Sequence, residues 1–403
     1  MIPVTEAVRV VVAEAEPLAA ERVALGEALG RVLAEDVFAD TDLPPFDRAQ
    51  MDGYAVRSED LNETPARLRV VGEAAAGDGW RGTLRAGEAV RIMTGAPVPS
   101  GADSVQQVEV TREEEGGRVV LIERATQPGQ FYVPRASEIR EAERVLEAGE
   151  EINAARMAVL ASFGYARVPV RRRPRVAVLA TGTELVAVEE QPGEDQIRDS
   201  NSYSLAAYAR LAGAEVERLP FAGDDPELLR KEIEKAAGRS DLLVLSGGVS
   251  MGRYDFTKAA LHALGAEVFF ERVALRPGKP TVFARLPGGA LVFGLPGNPV
   301  SVSVTFNLFA RTALRVMQGA RDAAPLEESA VLSRLAKGAA ERESYLPAAL
   351  STGPDGRLLA EPLKWGGSSD FVAFARATAL VVVPADVKTI EAGSVVRVVR
   401  LPG

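Results

Sequence analysis

Four consecutive apolar residues, Leu242-Leu243-Val244-Leu245, run straight into Ser246-Gly247-Gly248. A stretch this short and wholly apolar has no side to give to water. It reads as a strand buried on both faces, as in a parallel sheet covered by helices. Ala290–Phe293 reads the same way. Two more glycine-rich punctuations follow in the same region, Arg276-Pro277-Gly278-Lys279-Pro280 and Gly294-Leu295-Pro296-Gly297-Asn298-Pro299. Glycines at such points let the backbone approach a ligand closely and present its N–H groups. Asn298 is a good N-cap and Pro299 suits the first position of a helix. Val300, Val304, Phe306, Leu308 and Phe309 make that helix apolar on more than one face, so it is expected to be buried. Its start aims free N–H groups beyond the strand 290–293. Arg272, Arg276 and Lys279 add positive charge nearby, and Asp255 adds a carboxylate. Together they describe a pocket for a phosphate-like anion with a metal ligand beside it.

The surrounding pattern supplies the sheet. Val176–Ala180, Glu215–Leu219, Leu242–Leu245 and Val268–Phe270 read as strands. Tyr203–Leu211, Glu227–Ala237 and Thr257–Leu264 read as helices between them. That alternation predicts right-handed crossovers and a doubly wound α/β domain over 174–320. Ligands of such sheets bind beyond the carboxyl ends of the strands. The loop 246–250 and Thr181-Gly182-Thr183-Glu184 both fall there, as do four carboxylates, Glu184, Asp199, Asp224 and Asp255. Capping explains Asp199, Asp224 or Asp225, and Asp255 equally well, because each precedes a helix. Glu184 precedes none and carries more weight. Oxygen ligands of this kind suit Mg²⁺, which takes one or two carboxylates with phosphate oxygens and water.

The rest of the chain divides by pattern. Residues 5–15 read as a helix with Val8, Val11 and Val12 on one face, and Leu25–Val32 as a second helical stretch. Asp40–Asp47, with Pro44 and Pro45, marks a boundary. Arg67–Val71, Ala89–Met93, Ser104–Val110 and Arg118–Ile122 alternate with Gly/Pro turns and read as a β-rich domain over 41–140. Within it, Asp52-Gly53 reads as a hairpin turn. Glu141–Val170 returns to helix and then a short strand, so 1–40 and 141–173 together form an elongated linking domain into which 41–140 is inserted. Pro169–Pro174, with Arg171-Arg172-Arg173, reads as a linker carrying a solvated basic triplet. After residue 320, Ala330–Leu332, Tyr345–Leu350, Leu358–Pro362, Ala379–Val383 and Ser394–Val399 read as strands of a small barrel-like domain, 321–403.

Composition narrows the chemistry. The chain has 403 residues, more than one ordinary core supports. Its net charge of −9 argues against general nucleic-acid binding and for a small anionic ligand in a local basic pocket. No cysteine is present and His262 is the single histidine, which excludes disulfides, thiolate catalysis and multi-histidine metal sites. No apolar stretch reaches the roughly 18–20 residues that span a bilayer. The first residues lack a signal pattern, so a cytoplasmic location without membrane contact is expected. Gly248-Val249-Ser250-Met251-Gly252 matches the G-x-S-x-G nucleophile elbow, but His262 follows on the next helix rather than from a distant loop, which sets a hydrolase aside. No dinucleotide fingerprint follows the first strand, and Gly278-Lys279 is followed by Pro280 rather than by a Walker helix.

Seven segments, in order along the chain, resemble the molybdopterin molybdotransferase family, which includes the E domain of gephyrin. They are Phe46–Arg57, Arg91–Pro99, Thr181–Leu185, Asp199–Asn201, Ser246–Asp255, Arg276–Pro280 and Gly294–Ser301. The resemblance implies a four-part architecture and an enzyme. That enzyme takes adenylylated molybdopterin and molybdate, uses Mg²⁺, releases AMP and leaves molybdenum on the dithiolene. Carried over by motif, Asp52, Thr94, Glu184, Asp224, Asp255 and Arg276 are the implied catalytic residues, with Glu184 and Asp255 on the metal. Gly247, Gly248, Ser250, Arg272, Lys279, Pro296, Asn298, Pro299 and Ser368 are the implied substrate-binding residues. The resemblance also implies a homodimer in which Asp52 and Thr94 serve the partner's α/β domain, and contact with a molybdopterin adenylyltransferase and with molybdoenzymes. Thr183 stands where the family often has Asp, Glu138 where Asp is common, and Arg272 and Arg276 where Lys is common. Arginine keeps the charge but does not serve as a neutral base, so clamping of oxyanions is expected there rather than proton abstraction. Two other readings share features with this one: a molybdopterin adenylyltransferase, which has the same kind of α/β domain, and a non-enzymatic scaffold.

Overall fold

Leu242–Ser246 is the centre of a six-stranded sheet and every one of its residues is buried. In sheet order the strands are Glu215–Arg218, Arg175–Ala180, Leu242–Ser246, Leu291–Leu295, Val282–Arg285 and Glu267–Phe270. The first four are mutually parallel, and Val282–Arg285 runs antiparallel to both of its neighbours, Leu291–Leu295 and Glu267–Phe270. The sequence pattern located Glu267–Phe270 but missed Val282–Arg285, which returns beside Leu291–Leu295 as a hairpin arm, so the sheet is mixed at one edge. Alternate residues feed two cores. Val176, Val178, Leu242 and Val244 pack with Leu205, Ala209 and the residues of Pro299–Met317. Ala177, Leu179, Leu243 and Leu245 pack with Leu229, Ile233 and Leu261. The domain is therefore doubly wound, as expected. Each fully buried Leu or Val contributes about 1.5–3 kcal/mol, and Phe283 stacks on Phe293 with centroids 4.6 Å apart.

These observations come from a computed structural model that describes residues 1–223, 225–248, 256–339 and 341–402. The chain forms two compact units, one of residues 1–35, 148–154 and 167–403, the other of 36–147 and 155–166. Among the described residues no helix is long and apolar enough to cross a membrane.

In the first unit, Val4–Glu14 is a helix that buries Val4, Ala7 and Val11. Val12, expected on the inner face, is exposed. The expected second helix over Leu25–Val32 reduces to a single turn, Leu25–Glu27, because Ala20–Ala24 pairs as a strand with Arg167–Arg171. The helix starting at Pro299 continues through a wider turn at Phe306–Ala310 to Met317, and Val300–Ala310 is buried throughout. The C-terminal strands Glu327–Leu332, Glu343–Thr352, Leu358–Pro362, Ala379–Val383 and Val395–Arg400 close into a five-stranded barrel, since Glu343–Thr352 pairs with both Leu358–Pro362 and Ala379–Val383. Leu275–Arg276 adds a short parallel pairing outside it, against Glu343–Ser344.

The second unit is built on a six-stranded mixed sheet in the order Ser104–Gln107, Gly53–Val56, Glu88–Ile92, Ala66–Ala74, Val119–Ile122 and Thr111–Glu114. Gly53 is not in a hairpin turn; it opens a wholly buried strand flanked on both sides. Between Glu141 and Val170 the helix is only Ala154–Ser162.

The basic triplet is no linker. Arg171 lies in a strand and donates to the Leu18 carbonyl at 2.9 Å, and Arg173 donates to the Gly213 carbonyl at 3.0 Å. Arg172 grips Asp241 through two hydrogen bonds of 2.7 Å each, and the Arg175 N–H donates to the same carboxylate at 2.8 Å. This ties the entry of the first parallel strand to the entry of the central one. Burial raises the Asp241 pKa, but the hydrogen bonds from Arg172 and Arg175 and their charges outweigh it and hold the carboxyl below its ordinary value. A depressed folded-state pKa means the contact stabilises fully above the unfolded pKa and is lost as pH falls through the folded one. We expect Asp241→Asn to cost roughly 1.5–3 kcal/mol at pH 7, with the gap to wild type narrowing between about pH 5 and pH 2. Urea unfolding across that range checks it; a gap that does not change with pH contradicts the assignment.

Candidate functional site

Three parallel strands end in register. Ala180 faces Ser246, and Ser246 faces Leu295. The chain therefore leaves the sheet side by side at Thr181, Gly247 and Pro296, and these three exits form the floor of a cleft of about 980 Å³. Its other walls are the segment 196–201, Pro280, and Ser369 with Phe371 from the barrel domain.

Close backbone contact shapes the floor. The Thr181 N–H donates to the Ser246 carbonyl at 2.8 Å, and the Gly247 N–H donates to the Leu295 carbonyl at 3.1 Å. Gly247 sits at φ +96°, and a β-carbon there would overlap the Thr181 carbonyl oxygen. Only glycine fits. The Gly247 N–H, expected to hold phosphate, is thus already used. The Gly247 carbonyl accepts from the Thr257 hydroxyl at 3.2 Å, and the Gly248 carbonyl accepts from the Thr257 N–H at 3.3 Å, which anchors the loop to the helix Phe256–Ala263.

Asn201 joins two of the exits. Its Nδ2 donates to Ser246 Oγ at 2.9 Å and to the Gly297 carbonyl at 2.7 Å. Its Oδ1 is buried and accepts no hydrogen bond among the described residues. In the sequence Asn201 stood only as the end of the family-like segment Asp199–Asn201, with no role of its own. The structure adds its position, since it opens the helix Asn201–Leu211 at the carboxyl edge of the sheet. Asp199 beside it is 6% exposed and takes the N–H and hydroxyl of Ser202. The capping reading of Asp199 holds. Asp225 likewise caps Pro226–Ala237 by accepting from the N–H groups of Glu227 and Leu228.

Glu184 lies on the cleft, with its carboxylate folded over Gly182, where a β-carbon would collide with it. Among the described residues that carboxylate accepts no hydrogen bond from a side chain or backbone group. Asp224, Ser250 and Asp255 lie outside the described residues.

Gly248, Pro296, Asn298 and Pro299 also line the cleft. Asn298 occupies the N-cap position of the helix, as expected, but its side chain makes no capping hydrogen bond there. Its Nδ2 instead donates to Ser368 Oγ at 2.9 Å, while the Val300 N–H donates to the Ser368 carbonyl at 3.0 Å. Fewer helix-start N–H groups are therefore open than the sequence suggested, and Ser368 is the link between the barrel and the cleft. Lys279 is half-buried next to Pro280 and forms no ion pair among the described residues; Arg272 is also half-buried. Arg276 is exposed, pairs as a strand with the barrel domain, and donates to the Gly338 carbonyl at 3.4 Å. It is not among the residues that line the cleft. Phe371, half-exposed at the rim, was not foreseen.

In the other unit, Asp52 and Thr94 meet. Asp52 Oδ1 accepts the Thr94 N–H at 2.6 Å and the Thr94 hydroxyl at 2.7 Å. Those two bonds, the backbone one first, hold the Asp52 carboxyl below its ordinary value, so it stays ionised near neutral pH.

Residues 2–164 match the family described as MoeA N-terminal region (domain I and II), 177–316 match a probable molybdopterin binding domain, and 329–401 match MoeA C-terminal region (domain IV). A curated protein of a Nostoc species named molybdopterin molybdenumtransferase is 39% identical over 95% of this chain and 89% of its own length. One of the same name from Bacillus subtilis is 36% identical over 99% and 94%. Among solved structures, the molybdopterin biosynthesis MoeA protein of Pyrococcus horikoshii superposes with a TM-score of 0.81 at 33% identity, covering 99% of both chains.

Replacing Gly247 with alanine forces a side chain into a left-handed backbone position against Thr181. We expect Gly247→Ala to cost about 1–3 kcal/mol and to displace the 246–248 exit. Urea unfolding checks the first effect and substrate affinity the second. Wild-type values for both would contradict the close approach described here.

Proposed function

This chain belongs to the molybdopterin molybdenumtransferase family, an enzyme family of molybdenum cofactor biosynthesis, and we propose that it inserts molybdenum from molybdate into adenylylated molybdopterin with release of AMP. The observation that carries this reading is the cleft itself. Three strand exits in register, joined by Asn201 and closed by Ser368, make a cleft of about 980 Å³ that mixes apolar, neutral polar and charged lining residues, a size suited to a cofactor-sized ligand.

The roles follow from position. The backbone at Gly248 and Gly297 and the side chain of Asn298 bind and orient the phosphoanhydride. Lys279, half-buried and without an ion pair among the described residues, places a positive charge where phosphate oxygens gain negative charge, and such stabilisation is strongest in a cleft that sheds water. Arg276, tied to the barrel, is assigned to holding the strand that carries Lys279 in place. Ser368 and Phe371 close the cleft from the barrel side.

Among the described residues no group of three acidic or histidine side chains converges to hold a metal. Mg²⁺ needs only one or two carboxylates when phosphate oxygens and water complete its shell. Glu184, with its oxygens uncommitted, fits that requirement; Asp199, committed to Ser202, does not. Glu184 would hold the ion, with Asp255 as the second ligand. When bound, Mg²⁺ supplies polarisation of the phosphoanhydride.

A homodimer is part of the proposal, with Asp52 and Thr94 delivered to the cleft of the partner. Its support is the prebuilt Asp52–Thr94 pair, which holds an exposed carboxylate ionised and in one orientation. A cytoplasmic location and passage of the product to molybdoenzymes belong to the same reading.

The test is AMP release from adenylylated molybdopterin with Mg²⁺, with and without molybdate. We expect molybdate-dependent release and a metal-bearing pterin. Glu184→Ala is expected to slow release roughly 100-fold while the fold is kept. Consumption of ATP with free molybdopterin, and no AMP release, would move the chain to the adenylyltransferase reading. Absence of either activity would leave a scaffold.

A further inference from the structure

Four arginines line a second, smaller cavity far along the two helices that start at the cleft. Asn201–Leu211 begins at the cleft and ends at Arg210 and Leu211; the helix beginning at Pro299 carries Arg311 and Arg315 toward its other end. Arg173 completes the set, and the cavity encloses about 250 Å³. Only one carboxylate lines it, Glu151, which pairs with Arg315 at 2.5 Å. Gln318, 3% exposed, fixes the floor by donating to the carbonyls of Ala212 at 2.7 Å and Leu314 at 2.9 Å.

Part of this cluster has an ordinary structural explanation. Arg210 and Arg315 sit in the last turns of their helices, where a cation balances the helix dipole. Arg173 satisfies the Gly213 carbonyl. Arg311 has no such explanation. It lies well inside the continuous helix 299–317, is half-buried, and forms no hydrogen bond or ion pair among the described residues. Burial first, and then the neighbouring charge of Arg315, pull its guanidinium below its ordinary pKa, with Glu151 opposing. A half-buried cation beside another cation is unfavourable unless something negative joins them. Glu151 supplies one negative charge against four guanidinium groups, and in a chain of net charge −9 their gathering in one cavity leaves the rest of the balance to a ligand.

We propose that the cavity formed by Arg173, Arg210, Arg311 and Arg315 is a binding site for a small tetrahedral oxyanion of the phosphate class, separate from the cleft. Planar guanidinium groups present paired N–H donors that match the oxygens of such an anion. The volume admits the anion with several waters, at about 30 Å³ each, and is below the roughly 300–1,000 Å³ of sites that take whole cofactors. The anion would offset the repulsion between Arg311 and Arg315 and sit at the ends of two helices whose starts shape the cleft.

The test is calorimetric titration of the full-length protein with inorganic phosphate at low ionic strength, using wild type, Arg311→Met, Arg210→Ala and the cleft variant Lys279→Ala. Wild type and Lys279→Ala are expected to show the same saturable binding. Arg311→Met is expected to weaken it about tenfold or more. Arg210→Ala, at an exposed position that tolerates change, is expected to weaken it in the same direction and serves if Arg311→Met does not fold. Arg311→Met should leave AMP release in phosphate-free buffer unchanged, which separates this site from the cleft. Absence of phosphate binding to wild type overturns the proposal. So does binding that survives both arginine substitutions or that vanishes only in Lys279→Ala.

Discussion

The shared register of Ala180, Ser246 and Leu295 is the constraint on which the cleft depends. Once the central strand is buried between two parallel neighbours, its hydrogen-bond ladder fixes where all three chains leave the sheet. A slip of one residue would turn every side chain of Leu242–Ser246 to the opposite core. The two cores here are lined by different helices, so the register is strongly specified by packing. The Arg172–Asp241 pair acts at the other end of the same strands and ties their entries together. The cleft thus inherits its geometry from buried apolar side chains and one ion pair that lie well away from it.

Local pattern carried much of this in the sequence, and the failures have physical causes. The apolar run 242–245 and the helix after Asn298 were legible because their burial leaves no polar face, which a periodicity argument detects directly. Val282–Arg285 was missed because its four residues end in an arginine and follow a glycine–proline loop; only pairing with Leu291–Leu295 makes it a strand. Leu25–Val32 has helical composition, yet the preceding strand pairing leaves it only one turn. The arginine triplet shows the same limit for charge. Whether Arg172 is solvated or gripped depends on Asp241, sixty-nine residues away, and nothing local to the triplet records that.

The site was legible in a different way. Glu184 stood out because no helix follows it to be capped, and the structure leaves its carboxylate uncommitted, whereas Asp199 is consumed by its cap. Gly247 was read correctly as a place of close backbone approach, but the partner of that approach is Thr181 within the protein. A glycine signals crowding without saying whether a ligand or another strand does the crowding. The bridging roles of Asn201 and Ser368 carry no sequence signal beyond the family resemblance that named both positions, because a bridging amide or hydroxyl is defined by the two groups it joins. Both become visible only when Ser246, Gly297 and Asn298 are placed around them.

Polar groups in this chain therefore divide by whether the protein itself satisfies them. Asp199, Asp241, Arg171 and Arg172 are fully engaged and explain stability and shape. Glu184, the buried Oδ1 of Asn201, Lys279 and Arg311 are among those to which the described structure gives no hydrogen bond or ion pair, and the first three stand at or beside the cleft; the buried Gln106 Oε1, Thr126 Oγ1 and Asn307 Oδ1 are others. Leaving a buried or half-buried polar group without a partner is costly, of order 1–3 kcal/mol for a neutral one and more for a charge. Such groups persist where a ligand completes them. In that light the cleft and the arginine cavity are two places where such groups gather around a space that a ligand fills. They differ in what they lack: the cleft offers neutral groups, the uncommitted Glu184, Arg198 and the neighbouring Lys279, suited to a large mixed ligand with its own metal, while the arginine cavity sets four guanidinium groups against the single carboxylate of Glu151.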